Sequence, residues 1–335
     1  MKNMKRILVF GAAFTALALA LTGCSAQTSN DGAANDENKT FEVGVVQLVQ
    51  HPALDAATQG FQEKLTELLE ADGYGVNFDV QNASGDSATC ATIANGFVSD
   101  NKDLIMANAT AALQAASAAT ADIPVLGTSV TDYATALDMT NWSGKTGINV
   151  SGTSDLAPLD LQAQMIKELV PDAKTVGILY SSAEANSKYQ SDVVEKELTD
   201  LGFEVKIYTS ADTNDIASVT QSAVDECDVI YIPTDNTIAA SVTTVDEIAS
   251  KAKTPIIAGE AGIASGCGVA TLSIDYSDLG ARTALMAYEI LVNGANPADM
   301  DVEFAEATTK QYVAHRAEML GVKIPEGYEA IKDAE

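Results

Sequence analysis

Acidic and small polar residues recur at one position of the sequence pattern, directly after short apolar runs that are typical of β-strands. Three of the acidic residues are Asp132, Asp235 and Glu260. A carboxylate that is buried beside a ligand favours a cationic partner such as an ammonium group. Ser, Thr and Asn share these segments, and where a helix begins there, its free backbone N–H groups can hold one carboxylate. These residue types together suit a ligand that carries both charges.

Basic residues are nearly absent from the same segments. After residue 23 the chain contains two arginines, Arg282 and Arg316, and neither lies in these segments, while Lys188 stands only at the edge of one of them. A site for a phosphate or a dicarboxylate usually carries Arg or Lys. The inventory therefore favours a zwitterion, meaning an amino acid, over an anion.

The elements that must position these residues are short β-rich runs in alternation with longer amphipathic stretches. Residues 43–47 have the composition of a buried strand, and residues 54–69 place Ala57, Phe61 and Leu65 on one side of a helix. The alternation continues with a strand at 76–80, a helix at 88–98, a strand at 104–107, a helix at 111–119 and a strand at 124–127. Apolar strands that alternate with helices indicate a parallel sheet covered on both faces.

The second half of the chain repeats this order at a near-constant offset. Four short segments match in sequence: 43–46 with 176–179, 72–76 with 201–205, 103–105 with 228–230, and 123–126 with 254–257. Four matched strands predict two similar doubly wound lobes, so the expected fold class is α/β with two parallel-sheet lobes.

The rest of the chain exceeds what a second lobe needs. It reads as a strand at 268–274, a helix at 279–292, a strand at 302–305 and a final helix at 309–320. We therefore expect the chain to cross between the lobes more than once, through a hinge of several strands. The expected lobes are 41–152 plus about 275–298, and 153–274 plus about 299–330.

Ligands of open α/β sheets bind beyond the carboxyl ends of the strands, so the repeat indicates which loops face one cleft. These loops are 47–55, 82–86, 108–110 and 128–133 in the first lobe, and 181–187, 234–237 and 259–261 in the second. Taken singly, their Ser, Thr, Asn and Asp residues are also ordinary helix caps. Tyr133, Tyr180 and Tyr276 either wall an apolar or aromatic part of the ligand or pack in the core.

The first residues have the pattern of a targeting signal. Lys2, Lys5 and Arg6 precede the apolar run 7–21, and residues 21–24 read LTGC. A Cys directly after Leu-x-Gly is typical of bacterial lipoproteins, in which the thiol is acylated. The alternative is an ordinary signal peptide with an incidental Cys.

We therefore expect residues 1–23 to be a lipoprotein signal peptide and Cys24 to carry acyl chains, two of which hold a protein on a membrane. Residues 24–40 lack large apolar side chains and are expected to form a flexible tether. The formal net charge of −28 disfavours nucleic acid and anionic lipid surfaces as partners.

Cysteine and histidine usage offers little to catalysis or to metal binding. The spacing of Cys90, Cys227 and Cys267 matches no zinc pattern, and these residues are either small buried side chains or include one disulfide pair. His51 and His315 lie far apart in the sequence, and nothing supports a His-based catalytic site. We expect no cofactor and no metal.

Six segments in order carry a family resemblance: VGVVQLVQHPALDAATQGF, QNASGD, SGTSDLAP, LYSSAEANS, YIPTDNT and SIDYSDLGARTALMAYEIL. From about residue 41 to residue 321 the chain resembles the ABC-transporter substrate-binding lipoproteins of the tryptophan/tyrosine-binding type. The resemblance implies a type I periplasmic-binding-protein fold, no enzymatic activity, and a partner permease with its ATPase. It also implies a ligand that is an aromatic amino acid in many members.

By motif position, the resemblance also implies ligand contacts. The ligand carboxylate is assigned to Thr110, Asn186 and Ser187, the ammonium to Asp235 and Glu260, and supporting polar contacts to Gln47, Asp132 and Asn236. An Asp is common in the family where this chain has Glu260, and the longer side chain would shrink the pocket.

The sequence also bears on three other functions: a hydrolase, a binding protein for another solute, and a ligand sensor. An extracytoplasmic hydrolase needs an activated nucleophile with its base, and the sequence has no Gly-x-Ser-x-Gly or His-Glu-x-x-His motif. A binding protein for another amino acid, a nucleoside or a sugar stays open, as does a ligand sensor for a membrane receptor. The expected protein is a monomer, anchored outside the cytoplasm at Cys24, that hands an aromatic amino acid to its permease.

Overall fold

The structure is a computed structural model, and it describes residues 39–331. The strands of this part are β1 (Thr40–Gln47), β2 (Gly75–Asn82), β3 (Leu104–Asn108), β4 (Val125–Val130), β5 (Val150–Ser154), β6 (Thr175–Ser181), β7 (Glu204–Ser210), β8 (Val229–Ile232), β9 (Ile256–Ala258), β10 (Ala270–Ser273), β11 (Glu303–Phe304), β12 (Thr309–Tyr312) and β13 (Glu329–Ala330).

The helices of the described residues alternate with these strands. They are α1 (Pro52–Ala71), α2 (Ser87–Ser99), α3 (Thr110–Ala119), α4 (Tyr133–Ala136), α5 (Leu159–Leu169), α6 (Ala185–Asp200), α7 (Ile216–Glu226), α8 (Asn236–Ala239), α9 (Val242–Ala252), α10 (Ala261–Cys267), α11 (Tyr276–Leu291) and α12 (Ala314–Leu320).

The strands form two sheets, one in each lobe. The sheet of the first lobe has the order β11-β5-β4-β3-β1-β2 and is parallel throughout. The sheet of the second lobe has the order β13-β12-β10-β9-β8-β6-β7, and its β10–β12 pair alone is antiparallel. The predicted fold of two doubly wound, mainly parallel lobes is confirmed.

The central strands are apolar because helices cover both of their faces. Every residue of β3 (LIMAN) and of β8 (VIYI) is buried. The outer strands β2 and β7 are largely half-buried or exposed. Continuous apolar strands of this kind occur in parallel sheets that are packed on both sides, which is why the sequence pattern located them correctly.

The chain crosses between the lobes three times, after β5, after β10 and after β11. The boundary expected near residue 299 lies too early, because Glu303–Phe304 pairs with Thr153 and Ser154 at the edge of the first sheet. We propose lobes that consist of residues 39–154 plus 276–304, and of residues 159–273 plus 309–331.

The predicted final helix at 309–320 is wrong in its first part. Thr309–Tyr312 forms β12, which pairs antiparallel with β10, and the helix begins only at Ala314. All four residues of β12 are half-buried, so their burial gives no period of either two or 3.6 residues. The strand depends on a pairing partner that is distant in the sequence.

The targeting predictions fall largely outside the described residues. The predicted signal peptide (residues 1–23), Cys24 and the tether up to residue 38 lie in the part that is not described, while Thr40, the last tether residue, already belongs to β1. Within residues 39–331, no helix combines the length and the apolar character that crossing a membrane requires.

Two glycines allow α1 and α11 of the first lobe to touch through their backbones. A Cβ at Gly280 would lie 2.0 Å from the Ala57 carbonyl oxygen, and a Cβ at Gly60 would lie 2.1 Å from the Ser277 carbonyl oxygen. Any side chain at either position would push the helices apart. The contact fixes α11, which follows β10 of the second sheet, on the first lobe.

Replacing Gly280 by Ala should lower the free energy of unfolding by about 1–3 kcal/mol, because the added methyl group overpacks the helix contact. Gly96→Ala is the matched control, since Gly96 lies on the exposed side of α2 with open space around it. That variant should be unchanged or more stable by about 0.5–1 kcal/mol. Urea unfolding measures both, and equal stability of the two variants would contradict the close approach.

Candidate functional site

The loops at the carboxyl ends of the two sheets meet between the lobes, and two hydrogen bonds join them. His51 Nε2, which follows β1, lies 3.1 Å from Asn236 Oδ1, which follows β8. Gln190 Nε2 on α6 donates to Thr131 Oγ1, which follows β4, over 3.4 Å. The lobes are therefore in direct contact at the edge where the sequence predicts a ligand.

Helix α3 begins at this edge with uncapped N–H groups. Its N-cap residue is Ala109, which has no capping side chain and holds a φ of 92°, a conformation that favours glycine. Strain of this kind is typical of functional sites. Thr110, the first residue of α3, is buried. The first N–H groups of α3 are thus available to an anionic group such as a carboxylate.

Helix α6 of the second lobe is also uncapped, because its N-cap residue serves another helix. The Glu184 carboxylate accepts from the backbone N–H of Asn236 at 3.1 Å and of Thr237 at 2.8 Å, and so caps α8. The first turn of α6 contains the buried residues Asn186 and Ser187. The N-termini of α3 in the first lobe and of α6 in the second therefore both face the cleft without a side-chain cap.

The three predicted carboxylates all cap their own helices. Asp132 accepts from Thr135 N, Asp235 from Ile238 N and Glu260 from Ile263 N. Asp235 and Glu260 are buried, whereas Asp132 is half-buried. The capping alternative thus holds for each of them, and the N-termini of α4, α8 and α10 are already occupied by negative charge.

Asp235 is the most constrained of these carboxylates. Its Oδ2 accepts from Ser181 N over 2.6 Å, while its Oδ1 caps α8. Burial and the neighbouring Glu184 raise the pKa of Asp235 to about 8. Burial also raises the pKa of Glu260. Both carboxyl groups would ionise more readily beside a cation.

Gln47 lies within the first lobe instead of pointing at the second. Its Nε2 donates to Asp55 Oδ1 at 2.7 Å and to Val49 O at 2.9 Å, and its Oε1 accepts from Thr58 Oγ1 at 2.7 Å. The amide is fully used in fixing the first turns of α1 against β1.

His51 connects the lobes through a defined hydrogen. Asn236 Nδ2 donates to Glu184 Oε2 at 2.6 Å, so Asn236 Oδ1 is the acceptor in the contact with His51. His51 Nε2 must then carry the hydrogen that it donates. His51 Nδ1 is buried and has no partner.

A buried pair joins two of the three crossings. The Tyr276 hydroxyl, at the start of α11, donates to Asp155 Oδ2, just after β5, over 2.9 Å. Burial raises the pKa of Asp155 to about 6, although the hydroxyls of Tyr276 and Thr131 act in the opposite direction. Burial also raises the pKa of Tyr276. Asp155 Oδ1 is buried without a partner.

The other predicted tyrosines pack in the cores. Tyr133 is 1% exposed, and its hydroxyl donates to Thr153 O over 3.2 Å. Tyr180 belongs to the core of the second lobe. Tyr276 differs from both, since it lines a cavity of about 380 Å³ with Pro52 and Glu260 on the hinge side of the lobe contact.

A second cavity, of about 260 Å³, opens on the other side of the His51–Asn236 contact and draws walls from both lobes. Its apolar part consists of small and aliphatic residues: Leu48, Val49, Ala111, Ala183, Ala211 and Ala240. Glu184, Asn236 and Thr237 add polar groups. Such a mixture is typical of small-molecule sites, in which a few polar groups fix the orientation of the ligand.

The two arginines are engaged away from the cleft loops. Arg282 pairs with Glu303 at 2.7 Å and with Glu306 at 3.2 Å. Arg316 pairs with Asp246 and donates to Gly266 O at 2.6 Å. The shortage of basic groups that the sequence predicts thus persists in the folded cleft.

Cys90, Cys227 and Cys267 are buried and free. Of the two interpretations of these cysteines, the structure supports small buried side chains and not a disulfide pair. Within residues 39–331, no group of three or more His, Cys, Asp and Glu side chains is placed to hold a metal ion.

A family model described as ABC transporter substrate binding protein matches residues 42–332. The chain belongs to the ABC transporter substrate-binding protein family. The resemblance found in the sequence motifs is confirmed, and the role of this family is to bind a substrate.

Individual relatives agree with the family. The chain is 40% identical over 295 residues to a tyrosine-binding protein of Clostridioides difficile (strain R20291), which covers 86% of this chain and 84% of the relative. It is 34% identical to a Streptococcus pneumoniae ABC domain solved in complex with L-Trp, with a TM-score of 0.81 over 88% of this chain and 100% of that chain.

The ligand-free, open structure of a substrate-binding protein with adhesive properties from Clostridium difficile is 36% identical, with the same coverage of 88% and 100%, but its TM-score is only 0.65. This chain therefore superposes better on the L-Trp complex than on the open, ligand-free structure. Its own lobes are joined by the two hydrogen bonds described above.

Three residues of the cleft were not among the predicted contacts: His51, Glu184 and Asp155. The internal repeat contains a signal for two of them, because His51 and Glu184 are the matched N-cap residues of the helices that follow β1 and β6, the first strand of each lobe. Neither caps its own helix, and both contact Asn236. Asp155 lies in the SGTSDLAP motif, one of the segments that carry the family resemblance.

Asp155→Asn should stabilise the ligand-free protein at pH 8 by roughly 1–3 kcal/mol, because it removes the cost of ionising a buried carboxyl group. The folded protein binds this proton more tightly than the unfolded chain between pH 3.8 and about 6, so the wild type loses stability as the pH rises through that window. The difference in stability between variant and wild type should therefore shrink towards pH 4, as measured by urea unfolding. A difference that is independent of pH would contradict the raised pKa.

Proposed function

We propose that this protein captures an aromatic amino acid between its lobes, outside the cytoplasm, and delivers it to an ABC permease and its ATPase. The observation that carries the proposal is the pairing of two uncapped helix N-termini with buried carboxylates in one cleft. The first group suits a carboxylate and the second an ammonium. A zwitterion satisfies both without any arginine.

The ligand carboxylate is assigned to Thr110 at the start of α3 and to Asn186 and Ser187 at the start of α6. Both helices have at least ten residues, so their free N–H groups and dipoles favour an anion. Because the two helices belong to different lobes, one carboxylate held by both would draw the lobes together.

The ligand ammonium is assigned to the second-lobe carboxylates Asp235 and Glu260, with Asn236 as a supporting polar contact. Each carboxylate is buried, and its two oxygens each accept one backbone N–H. A carboxylate oxygen has two lone pairs, so each can accept one more hydrogen. Asp132 and Gln47 contribute to ligand binding indirectly, because Asp132 caps α4 and Gln47 fixes the first turns of α1.

An aromatic side chain is supported by the cavity and by the relatives. The cavity of about 260 Å³ is walled by small aliphatic residues from both lobes. One relative is a tyrosine-binding protein, and another was solved with L-Trp. We also propose that residues 1–23 are a signal peptide and that Cys24 is acylated. The protein would then be a monomeric receptor that is tethered to the membrane.

The proposal predicts that the chain from residue 25 onwards binds L-tyrosine, L-tryptophan or both in titration calorimetry. N-acetylated and amidated forms of these amino acids should bind much more weakly, because each removes one charge of the zwitterion. A neutral sugar is the control. Binding of a sugar or a nucleoside in the absence of binding by any amino acid would contradict the proposal.

The contact between His51 and Asn236 should contribute to ligand affinity, because it forms only when the lobes are closed. His51→Ala and Asn236→Ala should each weaken amino acid binding, and a double-mutant cycle should give a coupling energy of about 0.5–1.5 kcal/mol. Calorimetry on the four proteins measures this energy. Strictly additive effects would mean that the hydrogen bond does not contribute to closure.

A further inference from the structure

Asp155 stands out among the buried carboxylates of the cleft. It follows β5 directly, and its backbone N–H donates to Val130 O over 3.3 Å, which places it at the carboxyl edge of the first sheet. Its side chain is 4% exposed. The Tyr276 hydroxyl orients one carboxylate oxygen, Oδ2, from the second crossing. The other oxygen, Oδ1, is buried and accepts no hydrogen bond.

The groups of the described residues that act on the Asp155 carboxyl supply no positive charge. The Glu260 carboxylate raises the pKa of Asp155, and Tyr276 and Thr131 contribute hydroxyls. Both arginines of the described chain pair with carboxylates elsewhere. An unsatisfied buried acceptor beside a like charge is costly, so this position favours a donor that arrives from outside the chain.

The other buried carboxylates of the cleft have more hydrogen-bond donors than Asp155. Glu184 accepts from the backbone and side chains of Asn236 and Thr237, and the oxygens of Asp235 and Glu260 each accept a backbone N–H. Among the buried carboxylates of the described cleft loops, Asp155 alone has an oxygen without any donor. The carboxylate oxygen that lacks a hydrogen-bond donor therefore lies in the first lobe, at the hinge.

We propose that Asp155 Oδ1 accepts a hydrogen bond from the ligand ammonium, which makes Asp155 a ligand-binding residue. The proposal rests on the proposed function and adds a first-lobe contact to it. Tyr276 is the positioning residue, since its hydroxyl fixes the carboxylate that receives the ammonium. The ligand would lie with its amino end towards the hinge and its carboxylate towards α3.

The spacing of the strands supports an α-amino acid. β5 and β3 are separated by β4 alone, so Asp155 and the start of α3 lie about two strand spacings, or roughly 10 Å, apart. The ammonium and carboxylate of an α-amino acid are about 3 Å apart. With a charge-assisted hydrogen bond of about 2.8 Å at each end, the ligand spans about 9 Å. An α-amino acid therefore fits between Asp155 and the start of α3.

The test compares ligands with and without the ammonium on the chain from residue 25 onwards. The probes are L-tyrosine, L-tryptophan and their analogues that lack the amino group, 3-(4-hydroxyphenyl)propionate and 3-(indol-3-yl)propionate. Asp155→Asn should weaken the binding of the amino acids at least about 30-fold, because one partner of a buried charge pair is lost. The affinity of the analogues should stay within about 3-fold of the wild-type value, since they have no ammonium to lose.

Two further variants separate binding from structure. Tyr276→Phe releases Asp155 Oδ2 and should weaken the amino acids by about 3- to 10-fold with no change for the analogues. Asp275→Asn alters an exposed carboxylate that caps α11 at the same crossing, and it should change neither affinity. Thermal unfolding checks that each variant is folded. If Asp155→Asn does not fold, the effect of Tyr276→Phe on amino acid affinity tests the proposal instead.

The outcomes distinguish this inference from the proposed function. If the wild type binds neither amino acid, the proposed function fails. If the wild type binds them and Asp155→Asn binds them equally well, or loses amino acids and analogues in parallel, only the role of Asp155 is overturned.

Discussion

A carboxylate buried away from water must find hydrogen-bond donors, and the way the cleft meets this demand determines its layout. Glu184 takes the N–H groups of α8, while Asp235 and Glu260 use N–H groups of the helices that they begin. The N-termini of α3 and α6 are left open. Under the proposed function, the protein divides its helix N-termini between its own negative charges and the carboxylate of a ligand, so that an anionic group is held without arginine.

Closure of the lobes extends the same chain of donors and acceptors. Asn236 donates to Glu184 within the second lobe and accepts from His51 of the first. Only the second of these contacts depends on the approach of the lobes. The better superposition on the L-Trp complex than on the open, ligand-free relative fits this picture. Closing therefore adds one neighbour to a network that the second lobe has already ordered.

Much of the fold was predictable because the central strands carry their own signal. Apolar runs such as LIMAN identify a strand without knowledge of its neighbours, and the internal repeat located the cleft loops. The strand Thr309–Tyr312 was not predictable, because its pairing with β10 gives it structure that its own sequence does not encode. The same distinction between local sequence signals and tertiary contacts applies to the site. The sequence identified loops that meet between the lobes. Whether Glu184 caps its own helix or the next depends on tertiary packing, as does the inward orientation of Gln47.

The contact of Gly60 with α11 has a consequence for how the protein is made. Helix α11 covers the first lobe, yet it is synthesised after β6 to β10 of the second lobe. The first lobe cannot complete its packing while the ribosome is still producing the second, so the two lobes must finish folding together. A chain of this design therefore stays incompletely packed until nearly all of it has emerged from the ribosome.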